Sequence, residues 1–63
     1  MKYRDIIKLL EADGWTENRQ SGSHIQFRHA IKRGTVTVAG GGKLNRDAPP
    51  GTTNSILRQA GLK

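Results

Sequence analysis

The chain contains no cysteine, so neither a disulfide nor a thiolate metal site can brace it. That absence fits a reducing compartment. Two histidines and five scattered carboxylates lack the spacing of a metal-ligand cluster, so neither a metal nor another cofactor is expected. No apolar run approaches the ~18 residues needed to cross a membrane. No signal-peptide pattern precedes the first helical segment. A soluble, cytoplasmic protein with no membrane contact is the expectation. Large side chains are also scarce. Hydrophobic residues make up 33% of the chain and aromatic residues 5%. The core must therefore come from a few positions, for which Ile6, Ile7, Leu10, Trp15, Ile25, Phe27, Val36, Val38, Ile56 and Leu57 are the candidates.

Acidic residues are the remaining shortage. Eleven Lys and Arg stand against five Asp and Glu, giving +6 on 63 residues. A chain of this length makes one domain, residues 1–63, and buries only ~60% of the surface its unfolded form exposes. So much positive charge on so small a surface favours a polyanionic partner, of which nucleic acid is the commonest. An acidic protein partner, or charge kept for solubility, is the plainer alternative.

Tyr3, Ile6, Ile7 and Leu10 recur at the spacing of an amphipathic helix, over about residues 3 to 13. No good N-cap precedes it. Gly14 can close it in a left-handed conformation, with Trp15 packing back on Leu10. Trp15–Gln20 reads as a polar edge strand and Trp15 as a core anchor. The Ser21-Gly22 turn then leads into Ser23-His24-Ile25-Gln26-Phe27-Arg28, so the two strands form a hairpin. A basic connection, His29–Gly34, is followed by Thr35-Val36-Thr37-Val38, which alternates cleanly. Ala39–Gly51 is irregular. Its three glycines do not form a Walker pattern, and a mobile loop carrying Lys43 is expected. Thr53, Ile56, Leu57 and Ala60 mark a second helix over about 52 to 60, with Gly51 or Thr52 near the N-cap.

Two amphipathic helices and a half-apolar sheet have one economical arrangement. It is a two-layer α+β fold of order α-β-β-β-α, with both helices on one face of a three-stranded antiparallel sheet. Strand side chains alternate faces. Ile25, Phe27, Val36 and Val38 therefore go to the core, while His24, Gln26, Arg28, Thr35 and Thr37 face solvent. The basic connection with Lys32 and Arg33, and the glycine loop with Lys43, rim that face.

The chain resembles HicA-type toxins, the RNA-cleaving half of bacterial HicAB toxin–antitoxin systems. The resemblance spans nearly its whole length and rests on IIKLLEADGW, RQSGSHIQFRH, GTVTV and PGTTNSILRQAGL. It implies a double-stranded-RNA-binding-domain-like fold. It also implies endoribonuclease action on mRNA with one catalytic histidine in the GSH motif, here His24, and neutralisation by a HicB-type antitoxin that covers the site. The chain departs from the family's habit after the third strand. Ala39-Gly40-Gly41-Gly42 stands where a proline and a histidine often occur. A monomer is expected for the free protein.

Metal-independent RNA cleavage can use the substrate's own 2′-hydroxyl as nucleophile. Histidine suits the base role because an ordinary imidazole titrates near ~6.5. Ser23, Gln26, Arg28, Lys32, Arg33 and Lys43 are the candidate RNA contacts. Arg28 lies on the order of 13 Å along the strand from His24 at ~3.3 Å per residue, so it suits a neighbouring phosphate. His29 belongs on the opposite face; Lys43 or water is as good a proton donor. The non-enzymatic alternative is a double-stranded-RNA-binding module. Such modules use a lysine cluster at the start of the last helix, and Gly51–Ser55 has none.

Overall fold

The computed structural model describes residues 1–63. Helix α1 spans Tyr3–Ala12, strands β1, β2 and β3 span Trp15–Ser21, His24–His29 and Thr35–Val38, and helix α2 spans Pro50–Gln59. The strands form one antiparallel sheet in the order β1-β2-β3, so β2 is central. The element order and the open three-stranded sheet give the α+β, double-stranded-RNA-binding-domain-like fold expected.

One face of the sheet is apolar because β2 and β3 alternate strictly. Ile25 and Phe27 of β2 lie opposite Val38 and Val36 of β3, and all four are buried. Ile6 and Leu10 of α1, Ile56 of α2 and Trp15 complete the same cluster. Deleting most of one such side chain, as in Phe27→Ala, costs about 3–5 kcal/mol. Ile7 and Leu57 differ from expectation, being only partly buried. Two alanines, Ala48 and Ala60, take places in the core instead.

The helix ends explain themselves locally. The first backbone N–H groups of a helix have no partner within it, and α1 has no side-chain cap. The β3–α2 connection supplies carbonyls in place of one. Tyr3 N–H donates to Arg46 O at 3.0 Å and Arg4 N–H to Leu44 O at 3.1 Å. Gly14 ends α1 with φ +101°, a conformation that side chains rarely adopt. Helix α2 begins at Pro50, two residues before the expected start. Proline suits a first helical position because its missing N–H would have had no partner there. Its end carries paired bonds from Leu62 N–H to Leu57 O (2.8 Å) and Gly61 N–H to Arg58 O (3.0 Å).

Candidate active site

Strand β2 carries chemistry at both ends, on opposite faces. His24 opens the strand and is exposed, as is Arg28; Gln26 between them is half-buried. The three share the face away from the helices. Register extends that face to the neighbouring strands. Ser21 lies opposite His24, Arg19 and Thr37 flank Gln26, and Thr16 and Thr35 flank Arg28. Two guanidiniums and an imidazole stand there without any carboxylate. Neither arginine is neutralised elsewhere, because the chain's ion pairs join Met1 to Asp47 and Lys32 to Asp13. His24 has no hydrogen-bond partner in the protein.

The backbone beside His24 is held by the glycine loop. Gly41 N–H donates to Ser23 O at 2.7 Å. A Cβ on Gly41 would stand 2.8 Å from that oxygen, and one on Gly40 would meet the Tyr3 ring at 2.2 Å. The loop expected to be mobile is thus packed at its first two glycines, where close approach leaves no room for a side chain. Lys43 follows on this loop, exposed, with its N–H on Gly40 O at 2.9 Å. Ser23, His24 and the root of the Lys43 loop therefore form one neighbourhood.

At the other end of β2, His29 faces the helices. Its Nδ1 accepts from the backbone N–H groups of Ile31 (3.0 Å) and Lys32 (3.1 Å). Its Nε2 stands 2.6 Å from Asp13 O and must therefore carry the proton, donating to that carbonyl. The ring also meets Trp15 edge to face at 5.2 Å. Both nitrogens are committed to structure.

Lys32 belongs to the same knot. Its ammonium donates to the Asp13 carboxylate at 2.5 Å and to Ala60 O at 3.0 Å, tying the ends of α1 and α2 to the β2–β3 connection. Trp15 Nε1–H adds a bond to Asp13 Oδ2 at 3.2 Å. The Lys32 hydrogen bond holds the Asp13 carboxyl below its ordinary 3.8; partial burial opposes this, while the Lys32 charge and the Trp15 bond reinforce it. Of the cations expected to contact RNA, Arg28 and Lys43 are thus on or near the open face. Lys32 is engaged on the helix side, and Arg33 sits in the connection beyond the far end of β2. The molecule's one groove, about 380 Å³ between Leu9, Ala12, Asp13, Leu57 and Leu62, also lies on the helix side. The open face is a shelf.

A family model for the HicA toxin of bacterial toxin–antitoxin systems matches residues 3–62. The chain belongs to the HicA toxin family. Membership makes it the toxin half of a toxin–antitoxin pair, with an antitoxin as its protein partner. No curated protein matches the chain. In this HicA-family chain the matched region takes in both histidines and the glycine loop, so the open and the knotted ends of β2 both fall within it. No helix is long and apolar enough to cross a membrane.

Arg19 is the residue of the open face that sequence reasoning missed. After Trp15, strand β1 is polar and exposed from Thr16 to Ser21, so it has no alternation from which to read a facing side. Only the pairing with β2 reveals where Arg19 points.

Proposed function

We propose that this HicA-family chain is a metal-independent endoribonuclease of mRNA in which His24 is the general base. The observation that carries the reading is an imidazole without protein partners on a sheet face that bears arginines and no carboxylate. Such a face attracts a phosphate backbone, and the free ring can take a proton from a nucleophile placed against it.

In the proposed reaction the neutral ring of His24 removes the proton of a ribose 2′-hydroxyl. The 2′-oxygen attacks the adjacent phosphorus, the new P–O2′ bond forms, and the bond to the 5′-oxygen breaks. Water protonates the departing 5′-oxygen, or Lys43 does from the loop rooted beside Ser23. His29 takes no part, since both of its nitrogens are occupied on the far face. Gln26, one step along β2, and Arg28 beyond it hold neighbouring phosphates of the RNA. The HicB-type antitoxin inhibits by covering the same shelf.

Purified protein incubated with single-stranded RNA in EDTA is expected to yield 2′,3′-cyclic phosphate ends. His24→Ala should lower the rate about 10²–10⁴-fold while leaving the circular dichroism spectrum intact. A strict metal requirement, or full activity in a folded His24→Ala protein, would sink the mechanism. The double-stranded-RNA-binding reading is served poorly by α2, whose first turn is Pro50-Gly51-Thr52-Thr53 and holds no lysine to span phosphates. Preference for duplex over single strand without cleavage would restore it.

A further inference from the structure

We infer that Arg19 is the phosphate-binding cation of the His24 site, aimed onto the open face by a β-bulge at Asn18. The inference rests on the ribonuclease reading and deepens it. Thr16 lies opposite Arg28 and faces outward with it, and Glu17 lies opposite Phe27 on the other side. Plain alternation would then turn Asn18 and Gln20 outward and put Arg19 toward the core. The ladder instead slips between Glu17 and Arg19, where Asn18 has no partner and Arg19 pairs with Gln26. One extra residue reverses the parity of everything after it, as bulges beside functional sites do. Arg19 and Ser21 thereby join Gln26 and His24.

The geometry then separates the two arginines of the face. Arg19 sits diagonally from His24, across one strand spacing and two residues along. Such positions are roughly 7–8 Å apart, within reach of a long side chain. Arg28 is on the order of 13 Å from His24 at ~3.3 Å per residue. A phosphate whose ribose hydroxyl touches His24 is thus within reach of Arg19 and beyond the natural reach of Arg28. The Arg19 side chain is exposed and bonds to nothing in the protein. Its planar fork fits two phosphate oxygens at once. Negative charge builds on the non-bridging oxygens as the 2′-oxygen attacks, and donors aimed at them stabilise that state more than the ground state. Arg19 supplies the charge that Arg28 stands too far away to give.

The test uses Arg19→Gln and Arg19→Lys, with Lys8→Gln on the outer face of α1 as a control for lost charge. Cleavage of a mixed-sequence single-stranded RNA is followed under saturating and limiting substrate. Binding of the same RNA is titrated against salt in the His24→Ala background, where it stays intact. Arg19→Gln should cut kcat about 10²–10³-fold. It should also flatten the slope of log affinity against log salt by about 0.7, one phosphate of single strand. Arg19→Lys should keep the slope and recover only part of kcat, because an ammonium lacks the fork. Lys8→Gln should leave kcat unchanged. Arg19→Gln that cleaves within about twofold of the parent, with an unaltered slope, overturns the assignment and leaves the ribonuclease reading standing. A parent that cuts no RNA, with a slope still flattened by Arg19→Gln, supports the phosphate contact and removes the ribonuclease reading.

Discussion

The two histidines of β2 are five positions apart on one strand and lead opposite lives. Period-two alternation turns His24 to solvent and His29 to the helices. Around His29 every polar valence is closed, by two N–H groups on one nitrogen and a carbonyl on the other, with Asp13, Lys32 and Ala60 O tied in beside it. Around His24 the backbone is secured through the Gly41 bond to Ser23, but the ring itself is left free. The lesson concerns how an imidazole is read. Residue type and a place at a strand end are alike for the two; what separates them is the face each takes and whether its ring nitrogens are already used.

The sharpest break of this comparison is to truncate each histidine in turn. His24→Ala should lose cleavage by orders of magnitude and change stability by less than about 0.5 kcal/mol, as exposed positions do. His29→Ala should do the reverse. Orphaning the Asp13 carbonyl and the two loop N–H groups costs about 1–3 kcal/mol in chemical denaturation. Cleavage per folded molecule should survive at low temperature. Equal loss of activity in both folded variants would erase the distinction. Gly41→Ala tests whether the free ring still depends on a held backbone. Its Cβ would meet Ser23 O at 2.8 Å. The strand start must shift, and cleavage should fall about tenfold or more through displacement of His24, since small misplacements cost up to ~10².

The smallest effect lies in the knot itself. Because Asp13 titrates below its ordinary 3.8 in the folded protein, its ion pair stabilises the fold above that value. The contribution disappears as pH falls through the lowered folded value. Asp13→Asn should therefore have a lower Tm than the parent at neutral pH. The gap should narrow as the solution is taken below pH ~4. A gap that stayed constant down to that region would mean that Asp13 acts through shape alone.

How far the sequence could be read follows from the range of the forces involved. Helix α1, the glycine stops and strand β3 were legible because their signals are local: apolar periodicity, a left-handed glycine, alternating valines. The start of α2 was missed because a Pro-Pro-Gly run reads as irregular until Pro50 is seen as a first helical residue. Ala48 is too small to announce itself as core, whereas Ala60 lies on the expected face of the second helix without standing among the large side chains that mark a core. In the candidate site, the faces of His24, Gln26 and Arg28 were legible because Ile25 and Phe27 fix the parity of β2. Lys32 looked like a loop charge since its partners lie 19 and 28 residues away. Arg19 was invisible for a related reason: an edge strand that is polar from Thr16 onward conceals a one-residue slip, and the slip alone decides which way the guanidinium points.

The bonds between Lys32, Asp13 and Ala60 O also bear on how such a protein can diversify. They concentrate polar cross-linking on the helix side of the sheet, at the His29 end of β2. The side chains of Thr16, Arg19, Gln26, Arg28 and Thr35 are free of such duties, apart from one Thr16 hydroxyl bond to Arg28 O. New side chains can be tried there singly or together with little penalty in folding. On the proposed ribonuclease reading, a descendant can change which RNA it grips, or which antitoxin covers the shelf, while inheriting the same rivet.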